Sequence, residues 1–165
     1  SIGRQKAEGT SLLNAMNMAR HALQRRTGLV MRWIPDLVRS YPKPVTLLAE
    51  WASSVRAREG GVVALGLGGP EAGHPATTFK KIFELARASK LPANPHAGEG
   101  DGPANIWATI ESLRPVRIGH GVRAIEDSEL IITSQSCIAV SSFRTAAWRS
   151  SRRYGSVISA TRRKR

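Results

Sequence analysis

Five short apolar or extended runs recur along this 165-residue chain, and apolar residues at helical spacing occupy most of the gaps between them. The runs are Leu29 to Ile34, Val62 to Leu67, Leu91 to Pro95, Val116 to Gly121 and Cys137 to Val140. Runs this short, bounded by Gly, Pro or Asp, read as strands rather than helices. The intervening stripes are Leu48, Trp51, Ala52 and Val55, then Phe79, Ile82, Phe83 and Ala86, then Ile106, Trp107, Ile110 and Leu113. Asp127 is a natural N-cap for a fourth helix over Ser128 to Ser134. Strand and helix in alternation predict a parallel α/β architecture of five βα steps with right-handed crossovers. An opening helix, with Leu12, Met16, Ala19 and Leu23 on one face, stops at Gly28. Pro35-Asp36 closes the first strand, and the prolines of Arg39-Ser-Tyr-Pro-Lys-Pro44 make the next stretch a loop.

Parallel sheets of this kind carry their chemistry at one rim, beyond the carboxyl ends of the strands. Three groups of residues fall there. Pro95-His96-Ala97-Gly98-Glu99 leaves the third run, Gly119-His120-Gly121 ends the fourth, and Gly66, Gly68 and Gly69 close the second. Ala97 and Gly98 are small and leave room for a flat ligand beside His96 and Glu99, while His120 comes from the adjacent strand. The glycine cluster lacks the spacing of a phosphate-binding turn. His21, inside the first helix beside Arg20, reads as a surface or half-buried histidine. His74, in Ala72-Gly-His-Pro75, reads as a solvated loop residue, and the Trp51 stripe as core packing. Taken alone, a His-x-x-Glu pair is structural more often than catalytic.

Taken together, these motifs carry more. His96-Ala-Gly-Glu99, Arg117-Ile-Gly-His120-Gly, Ala124-Ile-Glu-Asp127 and, upstream, Val62-Val-Ala-Leu-Gly-Leu-Gly-Gly69-Pro-Glu71 stand in an order and spacing that resemble the central part of a bacterial adenosine deaminase. The resemblance runs from about Leu29 to about Ile132. It implies a partial (β/α)8 TIM-type barrel over residues 1–141 and a zinc-dependent hydrolase that converts adenosine to inosine and ammonia. By the same resemblance His96 is a zinc ligand and Glu99 donates a proton to purine N1. His120 orients and deprotonates the attacking water, and Gly69 offers its backbone N–H to a purine ring nitrogen. Such chemistry needs a metal to lower the pKa of water toward ~7 and a carboxylic acid kept protonated near the ring. Adenine and aminodeoxyfutalosine deaminases share much of the pattern. Relatives specialised for adenine often carry aspartate where Gly119 stands, so Gly119 implies a nucleoside. Many relatives carry aspartate where Gly66 stands. The family's His-x-His and late Asp-Asp pairs have no counterpart here, which removes three of four zinc ligands. The chain by itself is therefore expected to hold no catalytic zinc and to be inactive alone.

Length and charge fit a part of such a barrel. A complete one takes about 250 residues, and Ser1 as first residue fits a piece of something longer. The formal charge is +13, from 25 basic and 12 acidic residues, but eight of the basic residues and none of the acidic ones lie between Arg144 and Arg165. The remainder is close to balanced. Residues 142–165 are expected to be a disordered Arg/Ser-rich tail. The abrupt change of composition there fits a shifted reading frame or truncated gene. A non-enzymatic remnant whose basic tail binds nucleic acid non-specifically is the competing reading. One cysteine, Cys137, suits a reducing cytoplasm, and no apolar run approaches the ~20 residues that span a bilayer. Sheet edges left open by a partial barrel predict self-association.

Overall fold

The computed structural model describes residues 2–41, 45–137 and 139–140. Helix α1 (Ile2–Thr27) leads to strand β1 (Asp36–Val38), then helices α2 (Val45–Ser53) and α3 (Val55–Glu59), strand β2 (Leu65–Gly68) and helix α4 (Lys80–Ala88). Strand β3 (Ala93–Ala97), helix α5 (Pro103–Leu113), strand β4 (Arg117–His120), helix α6 (Ser128–Cys137) and strand β5 (Ala139–Val140) complete the order. All five strands run parallel in one sheet, and their spatial order is their chain order, β1-β2-β3-β4-β5. A doubly wound sheet reverses direction at a switch point, whereas this one advances a single strand at each step. That progression is the winding of a (β/α)8 barrel, of which these strands form an open arc.

The chain forms these elements for local reasons. Gly28 stops α1 at φ +69°, where its N–H donates to the Gln24 carbonyl (2.9 Å). Ser54 divides what the sequence presents as one stripe into α2 and α3, its hydroxyl accepting from the Ala57 N–H (3.2 Å). Pro103 stands in the first turn of α5, where a missing N–H costs nothing. Asp127 caps α6 as expected: its Oδ1 accepts from the N–H groups of Glu129 (2.9 Å) and Leu130 (3.3 Å). One apolar core, centred on Leu37, Leu65, Leu67, Phe79, Phe83 and Leu113, fills the space between sheet and helices. A second, smaller one joins Ala97, Ile106, Ile118, Ala124 and Leu130 beneath α5.

Several expectations need correction. The first strand is Asp36–Val38, not Leu29 to Ile34; within the earlier run Trp33 makes an isolated parallel bridge to Val62, outside the strands of the sheet. Pro35 does not end the strand, because the carbonyl of Pro35 accepts from the Gly66 N–H (2.9 Å) and so opens the ladder. Among the described side chains of α1, Leu13 and Arg20 are buried, while Leu12 and Ala19 face solvent. Arg20 replaces an apolar residue there because its guanidinium reaches the Met31 carbonyl (3.3 Å) and the ring of His21 (3.1 Å). Val55 is exposed, since Ser54 turns the chain before it. Helix α6 runs on to Cys137, so the last strand starts at Ala139. The tail assigned to residues 142–165 lies outside the described residues. No helix among the described residues is long and apolar enough to cross a membrane.

Candidate active site

Alternation along the strands sorts residues onto two faces. Leu37, Leu67 and Pro95 stand in one register row, with Leu65 and Ala93 in another on the same face, and all are buried. Asp36, Gly66 and Asn94 form the row between them on the other face, followed by His96 beside Gly119. His96 thus lies within β3, one residue before its end, rather than after it. Both glycines in this arrangement make room for a neighbouring side chain. A Cβ on Gly119 would stand 2.6 Å from His96 Cδ2, and one on Gly66 would collide with Asp36 Oδ1. Asp36 therefore fills the volume that a side chain at position 66 would occupy. Its Oδ2 lies 3.9 Å from His96 Nε2. Burial raises the Asp36 pKa above the usual aspartate value, with nearby His96 opposing.

His120 reaches this group by a backbone device. Its register partner is Ala97, and strand alternation places it with Ile118, on the helix-covered face. But His120 has φ +62°, in the left-handed region that histidine adopts more readily than most residues. The imidazole turns instead to the rim, where its Nε2 is 3.2 Å from His96 Nδ1, the two rings meeting edge to face at 4.7 Å. Gly121, also left-handed, anchors the turn through its N–H to the Ala97 carbonyl (2.9 Å).

Glu99 leaves β3 through Gly98, whose φ is +74° and where a Cβ would strike Ile106. The Glu99 carboxylate, 64% exposed, lies 3.3 Å from His120 Nε2. His96, His120 and Glu99, the three residues singled out from the sequence, are thus one contiguous group. Gly69, φ +91°, sits in an exposed turn after β2, against Val38 and Arg39. It joins the group through Arg39, which donates to the His96 carbonyl, and through the chain that follows it.

Two buried charges support this group, and neither was assigned a role from the sequence. Glu71, 6% exposed, accepts from the N–H groups of Gly98 (2.8 Å), Glu99 (2.9 Å) and Gly100 (3.2 Å) and from Asn105 Nδ2 (2.5 Å). Burial works against its ionised form, but the donors from Glu99, Gly98, Gly100 and Asn105 outweigh it and hold the pKa below the ordinary glutamate value. Arg39, 2% exposed, donates to the carbonyls of His96 (2.8 Å) and His74 (2.7 Å). Burial lowers its pKa, with Glu71 and Asp101 opposing. Glu71 was visible only as the last residue of a motif, and Arg39 sat in a stretch read as a loop. His74, read as solvated, is half-buried; its Nδ1 pairs with the Ala72 carbonyl (3.0 Å).

Among the described residues no group of three or more His, Cys, Asp and Glu side chains is arranged to hold a metal ion. The imidazole nitrogens of His96 are directed to His120 and Asp36, and the donors present here do not form a metal site on their own.

A histidine pair and a carboxylate stand together at the carboxyl rim of singly wound parallel strands, the arrangement of an open arc of a (β/α)8 barrel. The family model for adenosine deaminase matches residues 5–152, and the chain belongs to that family. The chain is 36% identical over 136 residues to an aminodeoxyfutalosine deaminase of Streptomyces avermitilis, covering 79% of this chain and 37% of that protein. It is 45% identical over 78 residues to an adenosine deaminase of Yersinia pseudotuberculosis (47% and 23%) and 51% identical over 69 residues to an adenine deaminase of Bordetella avium (42% and 22%). Among solved structures it resembles a zinc-bound amidohydrolase from Burkhoderia ambifaria, with a TM-score of 0.62 and 27% identity over 68% of this chain and 31% of that one. The matched part of the chain thus spans between about a fifth and little more than a third of the length of these curated relatives.

Proposed function

We propose that the protein to which this chain belongs hydrolyses the exocyclic amino group of a purine nucleoside, adenosine to inosine and ammonia. The observation that carries this reading is the contiguity of His96, His120 and Glu99 at the strand ends. In the reaction water adds to C6, ring N1 takes a proton, and the amino group leaves as ammonia. His120 is suited to orient the water and accept its proton, because its turned-in imidazole is held between Glu99 and His96. Glu99 is suited to protonate N1, with a carboxyl group that reaches out from a rigid turn. Gly69 contributes a backbone N–H to the ring, and its positive φ favours a residue without a side chain at that turn. Zn2+ is the proposed cofactor of the whole protein, with His96 as one ligand, and no step above is derived through it. A cytoplasmic location and self-association of the isolated chain complete the proposal. Exposed Ile34, Val38 and Val63 along the β1 side of the sheet favour the latter.

A second reading keeps the chemistry and changes the substrate to aminodeoxyfutalosine, on the strength of the relative that matches 79% of the chain. By the resemblance, glycine at position 119, where relatives specialised for adenine often carry aspartate, favours either nucleoside over free adenine.

The test restores the missing strands from an intact relative and compares adenosine, adenine and aminodeoxyfutalosine by kcat/KM. Glu99→Gln is expected to lower kcat by ~10²–10⁴-fold, the range for a general acid, with bound zinc unchanged. His96→Ala is expected to lose zinc and turnover together. Equal zinc loss in both variants, or near-normal turnover in Glu99→Gln, contradicts the assignment.

A further inference from the structure

We infer that Glu71 is a positioning residue: its carboxylate fills an anion-binding nest formed by the backbone of residues 98–100, and this fixes where Glu99 stands relative to His120. The inference rests on the proposed function only for the importance it gives to Glu99.

Three consecutive N–H groups, from Gly98, Glu99 and Gly100, converge on the two oxygens of one side chain. Consecutive amides turned to one side by a left-handed residue make a concave site for an anion, commonly a phosphate or an external carboxylate. Here Gly98 supplies the left-handed residue, and the anion comes from 27 residues earlier in the same chain. Asn105 adds a side-chain donor to this carboxylate and closes the fourth side from α5. A buried glutamate with four donors is locked, since every rotation of its carboxylate loses at least one charge-assisted bond. Arg39 grips the same segment from its other polarity, through the His96 carbonyl, so the stretch from His96 to Gly100 is held by a cation at one end and an anion at the other. Glu99 itself stays largely exposed and makes its contact to His120 with its side chain alone. What places that side chain is the backbone N–H bonded to Glu71. Glu71 also follows Gly69 by two residues, so the turn that would meet the purine and the turn that carries the acid share one anchor.

Substitution chemistry makes the inference testable. Glutamine has the shape of Glu71, but its amide nitrogen must point a donor at either the Glu99 and Gly100 N–H groups or the Gly98 N–H and Asn105. The first orientation breaks two of the four bonds, and the second breaks the Gly98 bond and forces Asn105 to turn its Oδ1 toward the new donor. The test uses the 165-residue chain, isotope-labelled and without substrate or metal, so it stands or falls apart from the purine reading. In Glu71→Gln, amide hydrogen exchange at Gly98, Glu99 and Gly100 is expected to rise about 10–100-fold relative to β2, matching the loss of bonds to a charged acceptor. The imidazole ¹⁵N signals of His96 and His120 are expected to shift with it, a change that a loss of general stability would not produce. If Glu71→Gln does not fold, Asn105→Ala removes one donor of four, and the same amides are expected to exchange faster by a smaller factor. Unchanged exchange at residues 98–100, or unchanged histidine signals in a folded variant with faster exchange, overturns the inference.

Discussion

The two faces of the sheet are built by opposite rules. Toward the helices, Leu37, Leu65, Leu67 and Ile118 are almost wholly buried. On the other face the same strands present Asp36, Gly66, Gly68, Asn94, His96 and Gly119, which are small, polar or ionisable. Because side chains alternate with a period of two, neighbouring residues serve unlike ends: Leu37 packs the core while Asp36 stands against His96. Stability is concentrated on one face and chemistry on the other. The rim residues His120 and Glu99 reach the chemical face only because backbone turns take them out of the alternation.

That contrast can be tested directly, first where the effect is largest. Leu67→Ala removes a fully buried side chain from the helix-covered face and is expected to cost about 2–5 kcal/mol in urea unfolding. Asn94→Ala, its half-buried counterpart on the open face, is expected to stay within about 1 kcal/mol. Similar losses for both would mean that the two faces do not divide the work.

A smaller effect lies in pH. Glu71 has a folded pKa below its unfolded value. Its contribution to stability is therefore complete above the ordinary glutamate pKa of about 4.3 and is lost as pH falls through the folded value. The stability difference between the parent chain and Glu71→Gln, followed by thermal melting, should be widest near neutrality and narrow steadily below pH 4. A difference that grows on acidification would show that the carboxylate is not favoured in its ionised form.

The smallest expected effects separate two glycines on the chemical face. Gly119→Ala must displace the His96 ring, whose Cδ2 lies 2.6 Å from the added carbon, and should move the His96 and His120 NMR signals while costing about 1–3 kcal/mol, the usual range for overpacking. Gly66→Ala meets chiefly the end of the Asp36 side chain, which is partly exposed and can swing outward, with Ile34 Cγ2 in near contact at 3.4 Å. It should cost less and leave the His120 signals in place. The reverse ranking would mean that Asp36, rather than the His96 ring, is the fixed element.

The amino-acid sequence by itself determined the parallel α/β class, the number of strands, the capping of α6 by Asp127 and the placing of His96 and Glu99 at the end of one strand and His120 at the end of its neighbour. These follow from local signals, since hydrophobic period, glycine stops and motif spacing act over a few residues. Tertiary structure alone decided that β1 begins after Pro35, because an isolated three-residue strand has no period to display and gains its identity from pairing with β2. It alone turned His120 onto the rim, a choice of one backbone dihedral that composition does not encode. It also gave Arg39 and Glu71 their roles. A charged residue is read as surface until partners from elsewhere in the chain desolvate it and satisfy it, and here those partners lie 35 and 57 residues from Arg39 and 27–34 residues from Glu71.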